Sequence, residues 1–258
     1  MLPYFAFDHL QIGPLTFYPW GFMVGLGFLS SFLFALRQWK RAKMDPDKLI
    51  NLSLWIIFGG LTGSRLLFVL ENFKLFFGDF WPIFYFWQGG MSFYGGLIGG
   101  ICAFLFYGRK RLNFLRALDL LVFSLPLGFA IGRLGCFLVN DHLGAPTRLP
   151  WAIRYPDGAL RHPVALYLIL LELLLFFFLI IIKNKVKTPG LFSAFYLFLE
   201  GCGRFVFDFT RIRETNLPFC DQHYFGFTLA QFISVLLVAI SLCFIFKIKK
   251  TGPARILR

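Results

Sequence analysis

Seven apolar runs, each long enough or nearly long enough to cross a bilayer as a helix, constrain this chain more than any other feature. They cover approximately residues 17–36, 49–70, 92–107, 117–139, 164–182, 190–209 and 228–246. A hydrocarbon core about 30 Å thick is crossed by roughly 20 helical residues. Inside lipid every backbone N–H and C=O needs a protein partner, and a helix supplies one within its own segment. The predicted fold is therefore an all-α polytopic membrane protein, with seven transmembrane helices and a small extracytoplasmic head, residues 1–258 forming one domain. Composition agrees, since 58% of residues are hydrophobic and 15% charged, against about a quarter charged in soluble domains.

The net charge of +13 is divided into short runs between the apolar segments. It is not massed on one amphipathic face, and this argues against a nucleic-acid partner. Lys and Arg concentrate on the cytoplasmic side of membrane proteins. Arg37, Lys40, Arg41, Lys43 and Lys48 follow the first run; Arg109, Lys110, Arg111 and Arg116 follow the third; Lys183, Lys185 and Lys187 follow the fifth. Lys247, Lys249, Lys250, Arg255 and Arg258 follow the last. These all fall on one side, so the N-terminus is expected outside and the C-terminus in the cytoplasm. No basic residue precedes Arg37, which does not fit a signal peptide, and the first span is expected to be retained. Trp20, Trp81, Trp87 and Trp151 lie near segment ends, where aromatic belts form. Cys102, Cys136, Cys202, Cys220 and Cys243 make no C-x-x-C pair, so neither a disulfide framework, a metal site nor a cofactor is expected.

Against this apolar background the charged residues stand out. Arg133 lies near the end of the fourth run, between Gly132 and Gly135, and is followed by Cys136, Asn140, Asp141, His142 and Gly144. A guanidinium there either snorkels to the surface or takes a carboxylate or phosphate partner. Arg65 follows Gly59, Gly60 and Gly63, and its partner is either Glu71 or an anionic lipid headgroup. In the third run Gly95 with Gly99, and Gly96 with Gly100, put glycine rows on one helical face, suited to close helix packing. Asp119 beside Arg116 reads as a local ion pair at a helix start. In the sixth run Arg204 and Asp208 share a face, with Arg211 a turn further on. His162, before Pro163, reads as a helix-entry residue, and Gln231 as an interhelical hydrogen bond. The arginines together ask for an anionic ligand at the outer half of the membrane.

Gly132, Arg133, Gly135, Cys136, Phe137, Asp141 and Gly144, in this order and spacing, resemble the signature of the bacterial prolipoprotein diacylglyceryl transferases. Cys136 stands where that family has asparagine, and Asp141 where it has glutamate. Three further stretches resemble family motifs: Tyr94 to Gly99, with Tyr94 in the usual histidine place; Arg161, His162, Pro163, Leu166 and Tyr167; and Arg204, Phe205, Asp208, Phe209 and Arg211. Ala165 and Leu168 replace a glutamine and a glutamate, Asp208 replaces a glutamate, and Trp20 stands at about the place of a tyrosine.

The resemblance implies transfer of a diacylglyceryl group from phosphatidylglycerol to the lipobox cysteine thiol of a prolipoprotein signal region, releasing glycerol phosphate. The setting it implies is the bacterial inner membrane, with the enzyme acting as a monomer. On this reading Arg133 and Arg204 bind the phosphate and Asp141 and Asp208 orient them, while Arg65, Gly144 and Arg211 complete the lipid site. Arg204, Tyr94, His162 and Asp141 form the catalytic set. The base stays open between His142, His162, a water, or none if arginines alone depress the thiol pKa. Cys136 is either a covalent acceptor or a small packing residue. Two other readings also stay open: a divergent family member with another acceptor or no activity, and a lipid transporter or channel. Glu172 and Glu200 are the main acidic residues within the spans.

Overall fold

The computed structural model describes residues 2–13, 15–85, 90–141, 143–212 and 223–251. Its helices are α1 (Pro19–Arg41), α2 (Pro46–Glu71), α3 (Phe93–Arg111), α4 (Phe114–Val122), α5 (Leu125–Val139), α6 (Val164–Ile182), α7 (Leu191–Asp208) and α8 (Leu229–Thr251). Every predicted run falls mainly on helix. The fourth is divided into α4 and α5, because Pro126 has no N–H to continue the ladder and Ser124 turns its hydroxyl onto the carbonyl of Leu121 at 2.6 Å. Five segments, 19–41, 46–71, 114–139, 164–182 and 229–248, are long and apolar enough to cross a membrane. The helix at the sixth predicted run, α7, carries Glu200, Arg204 and Asp208. Large apolar side chains such as Phe28, Leu33, Phe58, Leu174 and Ile181 stay exposed on these helices, as surfaces made for lipid do.

The chain divides into two compact units, residues 36–117 and residues 1–35 with 118–258. In the first of these, α2 and α3 meet through glycine backbones, as the glycine rows predict. A Cβ on Gly59 would lie 2.7 Å from the carbonyl oxygen of Gly99, and one on Gly95 would strike Gly63. Ser64 adds a hydrogen bond from its hydroxyl to the carbonyl of Ser92, 2.7 Å.

In the other unit α5 packs on α6, α6 on α7 and α7 on α8. Val122, Phe123, Leu175, Leu179, Phe192 and Tyr196 form its core. Asp119 does not make the local ion pair expected of it. Its carboxylate accepts from the N–H groups of Gly190 and Ser193, 2.7 and 2.8 Å, and from the Ser193 hydroxyl, 2.5 Å. It thereby caps the start of α7, where unpaired N–H groups and the helix dipole favour an anion. Arg116 donates instead to the carbonyl of Ala42, 3.1 Å.

The described chain is mostly helical, as expected, and short strands of two or three residues join the helices. β1 (Leu2–Pro3) runs parallel to β4 (Ile153–Arg154), which pairs antiparallel with β5 (Leu160–Arg161). β2 (Leu10–Ile12) pairs with β3 (Leu15–Phe17), and β6 (His223–Tyr224) with β7 (Phe227–Thr228). Strands of two or three residues are too short to show an alternating pattern.

Candidate functional site

The site lies where α5 ends, α6 begins and α7 ends. At its end α5 reaches Asn140 in the left-handed region, φ 53°, which asparagine tolerates better than most residues. The following segment pairs with the exit of α7: Ala145 N–H donates to the carbonyl of Thr210, 2.8 Å, and Ile212 N–H to that of Leu143, 3.1 Å. His162 N–H donates to the carbonyl of Ala145, 3.0 Å. Gly144 is buried in this junction opposite Arg211, and a Cβ on it would strike the backbone of His162. Glycine at 144 is what lets the three chain segments close together.

The arginines converge here. Arg133, half-buried on α5, reaches the Cys136 sulfur with Nη1 at 3.8 Å. It interacts electrostatically with Glu172 on α6 and with Glu200 and Arg204 on α7. Arg204 also faces Arg211 and Asp208. Arg211 Nη1 lies 3.7 Å from Asp208 Oδ1, and the other Asp208 oxygen accepts from the Thr228 hydroxyl.

Thr228 is buried and also caps α8 reciprocally. Its N–H donates to Gln231 Oε1 at 3.0 Å, while Gln231 N–H donates to Thr228 Oγ1 at 3.2 Å. Gln231 Nε2 reaches back to the carbonyl of Phe205 at 3.5 Å, the interhelical bond expected of it. The start of α8 therefore fixes Asp208, and Asp208 steadies Arg204 on α7 and Arg211 just beyond it.

Glu172 and Glu200 are members of this cluster that motif reading passes over. The signal available in the sequence was their position, since an ionisable residue inside an apolar span marks a functional site by default. Asp141, half-buried, acts on Cys136 from the same end as Arg133. Cys136 is buried against Trp20 as well as Arg133.

His162 sits at the rim with Tyr167 and Trp151. The Trp151 indole N–H donates to the Tyr167 hydroxyl at 2.8 Å, and that hydroxyl lies 3.0 Å from His162 Nδ1. An indole N–H only donates, so the tyrosine oxygen accepts there, and its contact with Nδ1 ties His162 into the same chain of bonds. Burial lowers the His162 pKa and favours the neutral ring. His142, the other histidine considered as a base, lies outside the described residues, as do Trp87, Cys220, Arg255 and Arg258.

Below the rim, Arg161 pairs with Asp157 at 2.9 Å and lies over the Tyr155 ring, 5.5 Å from its centroid. The guanidinium holds the Asp157 carboxyl below the usual range. Tyr155 donates to Asn140 Oδ1 at 2.6 Å, and burial pushes its phenol up to about 12.

Arg65 and Tyr94 belong to the 36–117 unit. Arg65 does not turn to Glu71 for these bonds: Nε donates to the carbonyl of Ile83 and Nη1 to that of Gly90, each at 2.8 Å, and Nη2 donates to that of Pro82. The physical reason is that a fork of N–H donors close to a turn finds several carbonyls converging, which a single carboxylate at a helix end cannot match. Tyr94 is half-buried at the start of α3.

A family model described as prolipoprotein diacylglyceryl transferase matches residues 8–247. A phosphatidylglycerol–prolipoprotein diacylglyceryl transferase from Bordetella parapertussis is 35% identical over 238 residues, covering 89% of this chain and 90% of that protein. One from Idiomarina loihiensis is 31% identical over 257 residues, 94% of this chain and 95% of that protein. One from Pseudomonas putida is 34% identical over 237 residues, 85% of this chain and 86% of that protein.

Proposed function

The chain belongs to the prolipoprotein diacylglyceryl transferase family, and we propose that it transfers the diacylglyceryl group of phosphatidylglycerol to the lipobox cysteine thiol of prolipoproteins, releasing glycerol phosphate. The observation that carries this reading is the convergence of Arg133 on α5, Arg204 on α7 and Arg211 just beyond α7, with acidic side chains among them. The three relatives all bear the transferase name, which favours transfer over the altered-acceptor and lipid-transport readings.

In the reaction a carbon–sulfur bond forms, the glyceryl carbon–oxygen bond to phosphate breaks, and the thiol proton ends on the released glycerol phosphate. Negative charge collects on the leaving phosphate. Arg133 and Arg204 hold that phosphate through their planar forks, and one such donor in a water-poor site is worth roughly 3 kcal/mol of barrier. The same guanidinium groups favour thiolate over a thiol with an ordinary pKa of about 8.5. Asp208 orients Arg204 and Arg211, and Asp141 orients Arg133. Gly144 shapes the junction, and His162 stands at its rim as a neutral ring that can donate one hydrogen bond and accept another. Tyr94 serves as a hydrogen-bond donor to the lipid, since a phenol with a reference pKa of about 10 is a poor base near neutrality. Arg65 contributes positive charge from the loop that it ties down.

The whole chain acts as one transferase domain and as a monomer, without a cofactor. Seven helical segments cross the bacterial inner membrane with the N-terminus outside and the C-terminus in the cytoplasm, and the short strands form the extracytoplasmic head. The decisive experiment incubates purified protein in phosphatidylglycerol membranes with a lipobox peptide. Mass spectrometry then reads the diacylglyceryl adduct on the cysteine, which is absent from a Cys-to-Ser peptide. No adduct, on a peptide that a standard family member modifies, refutes the reading.

A further inference from the structure

The transfer reaction as described leaves three buried groups unused. Glu172 on α6 is only 6% exposed and Tyr196 on α7 only 2%. Glu172 Oε2, Glu200 Oε2 and the Tyr196 hydroxyl are buried with no hydrogen-bond partner among the described residues. Helices α6 and α7 come close at this level, where a Cβ on Gly203 would lie 2.5 Å from the Leu171 side chain.

The charged and titratable groups facing the carboxylates are Arg133 from α5 and Tyr196 and Arg204 from α7. Asp208 and Arg211 stand beside Arg204, and Cys136 and Asp141 stand at the Arg133 end. Arg133 and Arg204 are the cations that act on both carboxylates. A phosphodiester brings its own negative charge to the same two guanidinium groups. Keeping both carboxylates ionised would then gather three anions around two cations in a water-poor interior, where neighbouring carboxylates do not both ionise readily. One proton shared by the pair removes an anion. It also turns one carboxylate into a donor for an oxygen that otherwise has none.

We propose that Glu172 and Glu200 form a proton-sharing pair that frees Arg133 and Arg204 for the lipid phosphate, so that binding phosphatidylglycerol takes up a proton from solution. This rests on the assignment of the phosphate to those two arginines. The pair is a positioning and charge-balancing device, and no bond to substrate is formed or broken on it.

The test is calorimetric binding of short-chain phosphatidylglycerol in detergent micelles to the full-length protein, in buffers of different ionisation enthalpy. The difference between buffers gives the protons taken up per lipid. The wild type takes up close to one where the free pair is ionised, and there its affinity falls about tenfold per pH unit. Glu172→Gln and Glu200→Gln, each neutral at one member, bind the lipid with that uptake abolished and a flattened pH profile. Uptake near zero in the wild type across the pH range overturns the proposal, as does full uptake retained in the two variants. Should one Gln variant not fold, the other and the wild type still decide. Arg133→Ala and Arg204→Ala test the foundation separately. If lipid binding survives unchanged in both, the phosphate assignment fails; if binding is lost there while the Gln variants keep full uptake, only the carboxyl pair is wrong.

Discussion

Arg65 and Arg133 both lie on apolar, glycine-bearing helices, yet the protein satisfies them in different ways. Arg65 directs Nε, Nη1 and Nη2 at backbone carbonyls of Ile83, Gly90 and Pro82, with the Phe68 and Phe76 rings beside it. Arg133 and Arg204 sit among side-chain carboxylates, those of Glu172, Glu200 and Asp208. A carbonyl is a fixed dipole that neither binds a proton near neutrality nor lets go without unmaking its loop. A carboxylate can do both. An arginine bonded to carbonyls therefore acts as a clip for chain, and an arginine that faces carboxylates can be recruited by an incoming anion.

The largest expected effect separates the two directly. Arg204→Ala lowers turnover of the lipobox peptide by about a hundred- to a thousand-fold, the loss typical of one donor to developing charge, with little change in thermal stability in detergent. Arg65→Lys removes the fork and lowers stability by about 1–3 kcal/mol, with a much smaller loss of turnover per folded molecule. Equal kinetic damage in both, at unchanged stability, would erase the distinction between clip and ligand.

Of intermediate size is Gly99→Val in the 36–117 unit, where the added branches meet the backbone of Gly59. Overpacking of this kind costs about 1–3 kcal/mol and shows as a lower melting temperature. In the other unit Thr228→Ala removes both the cap of α8 and the bond to Asp208. It costs about 1 kcal/mol in stability, and because Asp208 steadies Arg211 and Arg204 it also lowers turnover. A Thr228→Ser variant, keeping the hydroxyl, restores most of both. Normal turnover in the alanine variant would show that Asp208 does not need this anchor.

The smallest effect is set by pH at the rim. The Tyr155 phenol is pushed up to about 12 from a reference near 10, so the folded state favours the neutral form. That contribution is complete below pH about 10 and is lost as the pH rises through the folded value. Tyr155→Phe removes this alkaline step in a stability-against-pH profile. His162 runs the other way. Its pKa is lowered by burial, so its contribution is complete above the reference value near 6.5 and is lost as the pH falls through the folded pKa.

Much of the helical frame was legible in the sequence, because apolar length and glycine spacing are local properties. The glycine rows of 95–100 pack as their spacing implies, and Arg204, Asp208 and Arg211 share a helix end as their intervals require. The partner of Asp119 was not legible, since the Gly190 and Ser193 groups it caps come from a helix far along the chain. Neither was the role of Gly144, which depends on a backbone approaching from beyond the loop. Glu172 and Glu200 each looked isolated in an apolar run, and only helix packing makes them neighbours of each other and of two arginines. The short strands were missed because two residues carry no period.

By itself the sequence determined that this chain makes membrane helices, and it carried the motifs that place it in its family. Transfer of apolar side chains into lipid and the pairing of backbone groups within a helix are summed over neighbouring residues, so both can be read along one dimension. Which partner each buried charge takes was decided only by tertiary structure. Electrostatic energy depends on distance in space, and the packing of α5, α6 and α7 sets the distances among Arg133, Glu172, Glu200 and Arg204.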